Sequence, residues 1–222
     1  RDSGTSVTIT GDNAIVACGN TNSTDGMVLG NRTTSDVWVI KTDLNGTLLW
    51  ERSFGGSGLD RGHSVVELVS GDLMVVAVTS SGDGDVEKGH GASDIWLIRI
   101  TRDGTPVWKK TYGGSFSDNV WKLEPSPGGG AYLVGDSYSV DGHFTGNHGE
   151  SDLLIGEVSS FPMHVDHYGI VVDSAAIVMA VKVIQHCTPS LPVPFYKSGV
   201  DSIYLDVLPD GVVEVIVLGL VL

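Results

Sequence analysis

The sequence has few cysteines, few basic residues and no long uninterrupted apolar run. Its 222 residues include only Cys18 and Cys187, too few for a disulfide scaffold, and we predict that both are small core residues. The 13 lysines and arginines are outnumbered by 27 aspartates and glutamates, giving a formal charge of −14, so no nucleic-acid partner is expected. The apolar segments 170–184 and 211–222 contain charged residues, and both fall short of the roughly 20 residues that a spanning helix needs. The sequence therefore predicts no membrane span.

The sequence does contain a tandem repeat of 58 residues. The tetrapeptide that begins at Ser35 returns at Ser93 and, in weaker form, at Ser151. The same spacing separates Asp2, Asp60 and Asp118, and it separates the segment Phe54-Gly55-Gly56-Ser57 from Tyr112-Gly113-Gly114-Ser115. A repeat of this length, rich in glycine turns and short apolar alternations, is typical of blade-by-blade β architecture.

One repeat unit contains the pattern of four antiparallel strands. We predict strands over 64–69, 73–79, 95–101 and 106–112. In the third strand, alternation places Ile95 and Leu97 on one face and Trp96 and Ile98 on the other. Asp-Gly and Asn-Gly dipeptides join the third and fourth strands, where a tight hairpin needs positive φ.

The predicted fold is an all-β, single-domain β-propeller of four-stranded antiparallel blades, spanning residues 1–222. The blades cover approximately 1–58, 59–116, 117–172 and 173–222. Pro162–Gly169 aligns with Pro106–Gly113 and is predicted as the fourth strand of the third blade. The fourth blade is degenerate, with strands expected at 177–181 and 201–205. The chain forms either a four-bladed propeller or part of a larger one.

These blades carry motifs that resemble a known family. Units reading S-D-[IV]-W, then [DN]-G-x-x-x-W, then [FY]-G-G-S are similar to the tandem propeller repeats of secreted and surface-attached bacterial and archaeal proteins. The resemblance covers residues 2–158 and extends faintly into the tail, and the third blade has Leu154 where the others have tryptophan. It implies an extracellular or cell-surface location and a non-catalytic scaffold in adhesion or envelope architecture.

The loops between second and third strands carry the strongest candidates for chemistry. Asp83 and Asp85 flank Gly84, and Asp25 and Asp141 occupy the positions that match Asp83 in the neighbouring units. Carboxylates on a tight turn are ligands that Ca²⁺ prefers, so these loops predict a weak calcium site at Asp83 and Asp85, with Lys88 as the only nearby cation. Asp25 and Asp141 are secondary candidates for calcium binding in their own loops. The alternative is that these residues only form turns.

Histidine spacing offers two further candidates for metal binding. His143 and His148 lie in one loop and could share an ion, although no third ligand is evident. His164 and His167 are three residues apart on a predicted strand, which sends them to opposite faces.

The other conspicuous residues have structural interpretations. Gly135-Asp136-Ser137 resembles a hydrolase nucleophile segment, but its place in the repeat marks it as the end of a second strand. The repeated acids at 36, 94 and 152 are predicted to cap backbone amides at strand starts. The tryptophans at 38, 50, 96 and 108 are predicted to pack between blades, with sugar stacking as the alternative for any that are exposed.

The functional prediction is a non-enzymatic binding or adhesion module that recognises a glycan or a surface protein. No acidic position stands out from the repeat, and catalysis would need one specialised copy. One alternative is a propeller enzyme, a glycosidase or lyase, with acids gathered at a central channel. Another is a purely structural protein whose blades stack into a surface layer.

Overall fold

The structure is a computed structural model that describes residues 1–26, 28, 35–147 and 149–158 together with four later strands. The described residues form β-strands, turns and irregular segments, and no helix occurs among them. The predicted all-β class is therefore confirmed. None of these residues belongs to a helix long and apolar enough to cross a membrane.

Three successive units each form a four-stranded antiparallel sheet in chain order. Sheet 1 contains β1 (Asp2–Thr10), β2 (Ala14–Thr21), β3 (Asp36–Asp43) and β4 (Leu48–Phe54). Sheet 2 contains β5 (Asp60–Glu67), β6 (Leu73–Thr79), β7 (Asp94–Ile100) and β8 (Pro106–Tyr112). Sheet 3 contains β9 (Asp118–Pro125), β10 (Ala131–Ser137), β11 (Asp152–Val158) and β12 (Ile170–Val172).

The three sheets pack face to face, and sheet 2 lies between the other two. All seven residues of β7 are buried. Ile95 and Leu97 belong to the core shared with sheet 3, whereas Trp96 and Ile98 belong to the core shared with sheet 1. The alternation predicted from sequence is therefore confirmed, because successive side chains of a strand point to opposite faces.

The tryptophans differ in burial according to the sheet that carries them. Trp96 is fully buried, and Trp50 and Trp108 are half-buried against the two cores. Trp38 is half-buried and donates its indole N–H to Glu51 Oε2 at 3.1 Å. Packing between sheets is thus confirmed for three of the four tryptophans.

The predicted core role of cysteine is also confirmed where the structure describes it. Cys18 is a free thiol, 2% exposed, and burial raises its pKa to about 11. Cys187 lies outside the described residues.

A short strand after β11 completes sheet 3. Ile170–Val172 forms β12 and pairs with β11, with Val172 opposite Leu153. This run of three β-branched residues suits a strand, whereas Pro162–Gly169, predicted as the fourth strand of this blade, lies outside the described residues.

A fourth, three-stranded sheet contains β13 (Val178–Ala180), β14 (Val200–Val207) and β15 (Val213–Leu220). Its order is β13-β15-β14, so the first strand of this sheet pairs with the last. Closure of the sheets into a ring stays a prediction.

Candidate functional site

The acids that recur at the start of each first strand tie neighbouring strands together. The side chain of Asp60 is fully buried and accepts hydrogen bonds from the hydroxyls of Thr79 and Ser81 and from the backbone amide of Gly56. Asp118 repeats this arrangement with Ser137, Ser139 and Gly114. A buried carboxylate supplied with several donors is satisfied as an anion. These acids therefore fix the connection between one sheet and the next.

Each segment that joins one sheet to the next, which we call a connector, contains a pair of glycines because aspartate carboxylates lie very close to its backbone. A Cβ placed on Gly113 would lie 1.8 Å from Asp94 Oδ1 and 2.9 Å from Asp118 Oδ2. A Cβ on Gly55 would likewise lie 2.5 Å from Asp36 Oδ1. No side chain fits at such distances. The Ser-Asp and Gly-Gly motifs share one phase of the repeat because they touch.

For the second recurring acid, the predicted capping of backbone amides is confirmed at Asp94. Asp94 is 1% exposed, and its Oδ2 accepts the His90 amide at 2.7 Å. Its other oxygen, Oδ1, is 3.9 Å from His90 Nδ1 and has no hydrogen-bond partner among the described residues. Burial raises the pKa of this carboxyl.

The predicted calcium residues lie at the same end of the sheets as the connectors. Two of them accept hydrogen bonds from connector amides. Asp83 Oδ1 accepts the amide of Ser57 at 2.7 Å, and Asp141 Oδ1 accepts the amide of Ser115 at the same distance. Hydrogen bonds from Ser115 lower the pKa of Asp141. Each acid therefore clamps the connector that leads into its own unit. Asp25 is exposed in its loop.

The environment of Asp85 differs from the one predicted, because a second lysine lies near this loop. Its Oδ1 is 2.6 Å from Lys109 Nζ, so Lys88 is not the only cation near this loop, and the prediction on that point is wrong. Lys109 lies 24 residues further along the chain, and its approach follows from the pairing of β8 with β7. No group of three or more metal-ligating side chains occurs in the described part of the chain.

The histidine candidates are only partly described. The His143 ring lies 4.8 Å from the His90 ring in an edge arrangement, and its Nδ1 lies 3.1 Å from the Gly113 amide. Burial lowers the pKa of His143. His148, His164 and His167 lie outside the described residues.

A feature that the sequence analysis missed lies on the first strand of every sheet. The pairing of β1, β5 and β9 with their neighbours shifts register at one point each, which leaves Thr5, His63 and Trp121 as inserted residues. These three residues are spaced by 58 and form what we call the bulge row. A β-bulge turns its extra side chain out of the regular alternation and is frequent beside binding sites.

Side chains of the bulge row contact one another's strands. Thr5 Oγ1 donates to the Gly62 carbonyl at 2.8 Å. The rings of His63 and Trp121 meet edge to face with centroids 5.5 Å apart. Burial, and secondarily the charge of Arg61, lowers the pKa of His63, so its imidazole is neutral at pH 7.

Trp121 is exposed and held in a defined orientation. Its side chain is 54% exposed, and its indole N–H donates to Asp136 Oδ1 at 2.9 Å. The other oxygen of Asp136 accepts from Asn119 Nδ2 and from Ser151 Oγ. Asp136 lies near the end of β10, which confirms the strand-end interpretation of the Gly-Asp-Ser segment and gives its acid a positioning role.

A polar cleft of about 350 Å³ has Ser3 of β1 and Arg61 of β5 in its lining, so it lies between sheets 1 and 2. Arg61, two residues before His63 on β5, forms one side of it. The guanidinium of Arg61 makes no ion pair with any carboxylate in the described part of the chain. Among the described residues, the lining consists of Arg1, Ser3, Asn20, Asn22, Ser35, Leu59 and Arg61, and none of these is acidic.

Comparison with known proteins adds no assignment: no family model matches the chain, and no curated protein shows significant similarity to it.

Proposed function

We propose that this protein is a non-enzymatic binding module that recognises a glycan across the bulge row. Its sheets would form a β-propeller or part of a larger one, in a secreted or cell-surface protein that serves adhesion or envelope structure. Face-to-face stacking of successive meander sheets supports the propeller. The motif resemblance supports the extracellular setting.

The contacts of the recurring acids support the non-enzymatic part of the proposal. Asp60 and Asp118 each bind two hydroxyls and one amide in equivalent positions. A carboxylate engaged in this way in successive units stabilises connectors and is not available as a general acid or nucleophile. The loop acids Asp83 and Asp141 likewise accept backbone amides.

The observation that carries the glycan assignment is the exposed, oriented indole of Trp121. A pyranose ring presents an apolar C–H face and polar hydroxyl edges, so it suits an aromatic plane bordered by hydrogen-bonding groups. Asp136 fixes the indole, and His63 meets it edge to face. Such preorganisation lowers the entropic cost of binding.

The neighbouring cleft extends the site along the first strands. Its asparagines and serines can donate and accept hydrogen bonds with hydroxyls, and Arg61 can only donate. A site that combines one stacking surface with a polar cleft fits an oligosaccharide of more than one residue.

The proposal is tested by screening the protein on a glycan array and measuring the binders by calorimetry. Trp121→Ala should weaken binding at least tenfold without lowering the melting temperature, because the side chain is more than half exposed. Phe116→Ala is the matched control, since Phe116 is 55% exposed but lies on a connector outside the bulge row.

Three results would contradict the proposal. Retention of full glycan affinity by Trp121→Ala would remove the bulge row from the site, and an array with no binder would favour a surface protein as the partner. Conversion of a bound glycan into shorter products would overturn the non-enzymatic part.

A further inference from the structure

One face of sheet 1 is apolar, and its described residues are partly exposed. It presents Val7, Ile15, Ala17, Trp38 and Ile40, of which Val7 is 66% exposed and the others are half-buried. Ile9, on the same face, is 69% exposed. We call this surface the leading face.

The repeat shows what the leading face is built to contact. Its residues correspond, 58 positions later, to Val65, Leu73, Val75, Trp96 and Ile98 of sheet 2. All five of these are in the core that sheet 2 shares with sheet 1, and none is more than 2% exposed. The same side-chain pattern is thus buried in one sheet and open in the other.

The surface that covers this pattern in sheet 2 is also known. Sheet 1 contributes Val16, Cys18, Val37 and Val39 to the shared core. Their equivalents in sheet 2, Met74, Val76, Ile95 and Leu97, cover sheet 3 in the same way. The surface that can cover the leading face is therefore the one formed in sheet 1 by Val16, Cys18, Val37 and Val39, or its equivalent in another sheet.

Sheet 3 carries such a surface, and it is incompletely covered. The equivalents of the covering residues are Tyr132, Val134, Leu153 and Ile155. Tyr132 is 44% and Leu153 is 41% exposed, and the other two are half-buried. We call this surface the trailing face. The leading face at one end of the stack and the trailing face at the other therefore carry the same residue pattern as the two surfaces that meet between adjacent sheets.

We propose that the leading face of one copy binds the trailing face of a second copy, so that the chain associates head to tail. The contact would continue the packing that already joins sheets 1, 2 and 3. Such heterologous contacts form a ring or an open array, not a two-fold dimer.

The size of the contact sets its expected strength. Four strands about 4.8 Å apart and about seven residues long cover roughly 19 by 24 Å, so two faces bury on the order of 900 Å². Specific stable interfaces usually bury about 1,200 Å² or more. We therefore expect association that depends on concentration and is visible only in concentrated solution.

The test uses one charged substitution on each face. Val7→Asp should block the leading face, and Leu153→Asp should block the trailing face. Both positions are exposed, so folding should survive. Val69→Asp is the control, since Val69 is 83% exposed in the turn after β5 and lies on neither face.

Light scattering coupled to size-exclusion chromatography, or sedimentation, gives the mass over a range of concentrations. The wild type and Val69→Asp should gain mass as concentration rises, and each face variant alone should remain monomeric. A mixture of Val7→Asp and Leu153→Asp should form a one-to-one dimer and nothing larger, because one intact face of each kind remains.

Three results would overturn the proposal. The wild type could be monomeric at every concentration, which would leave the leading face to a segment of the same chain. The face variants could associate as the wild type does, or their mixture could fail to form a dimer.

Discussion

Replacing Trp96 with alanine tests whether the repeat buries its tryptophan between sheets. The side chain is fully buried in the core shared by sheets 1 and 2, and its indole N–H has no hydrogen-bond partner among the described residues. The cost of the substitution is therefore lost apolar burial and the cavity that remains. An indole that buries about 150 Å² at about 25 cal/mol per Å² contributes about 4 kcal/mol, within the roughly 3–5 kcal/mol found for such deletions.

Trp38 provides the matched comparison at the equivalent position of sheet 1. Trp38→Ala removes a half-buried side chain on the leading face and its hydrogen bond to Glu51. We expect a cost of about 1–2 kcal/mol, since exposed area contributes little and a single hydrogen bond about 1 kcal/mol. The two variants should therefore differ by at least about 2 kcal/mol.

Urea denaturation followed by far-UV circular dichroism measures this difference without relying on tryptophan fluorescence. Midpoints are compared at equal slopes and in dilute protein, so that association does not contribute. Equal losses for the two variants, or a loss below about 1 kcal/mol for Trp96→Ala, would refute the inter-sheet core.

The remaining predictions concern the connector acids, the calcium hypothesis and a histidine. Asp118→Ala should lower the free energy of unfolding, measured by urea denaturation, by about 3–5 kcal/mol, because it leaves buried hydrogen-bond donors without an acceptor. A loss near zero would show that the segment joining sheets 2 and 3 does not need the Asp118 carboxylate. Asp83→Asn with Asp85→Asn should lower the melting temperature equally with and without millimolar Ca²⁺, because both acids hold protein groups; a calcium-induced rise in the wild type that the variant lacks would establish the metal site instead. The folded-state pKa of His63 lies below its ordinary value of 6.5, so the unfolded chain takes up the proton first and stability should fall as pH drops below about 6.5. His63→Gln should flatten that decline in pH-dependent denaturation, and an unchanged slope would count against it.

The sequence predicted the strands wherever side chains alternate without interruption. β6 and β8 begin and end at the predicted residues. The first strand was expected from Ser64, whereas β5 begins at Asp60. The cause is the bulge at His63, which shifts the alternation by one residue, so the two halves of the strand do not share one period.

The candidate site was predicted less well because its contacts join different units. Asp83 binds Ser57 across 26 residues, and Asp85 binds Lys109 across 24. A local turn pattern identifies the acids but not these partners. Trp121 was not predicted as a functional residue either. The repeat was recognised from residues that recur, and this position holds a different residue in each unit.

Along β9, a position whose residue is fixed by packing lies close to a position whose residue can vary. Near the start of β9, the carboxylate of Asp118 binds a connector in which a side chain on Gly113 or Gly114 would meet oxygen atoms closer than 3 Å, so these positions can hold only their present residues. Three residues later, Trp121 is the inserted residue of a bulge and takes no part in the register of the β9–β10 pairing. Its side chain can therefore change without breaking the sheet, as threonine and histidine at the equivalent positions show. Under the proposed function, the bulge row is the place where each unit could acquire its own ligand contact at little cost in stability.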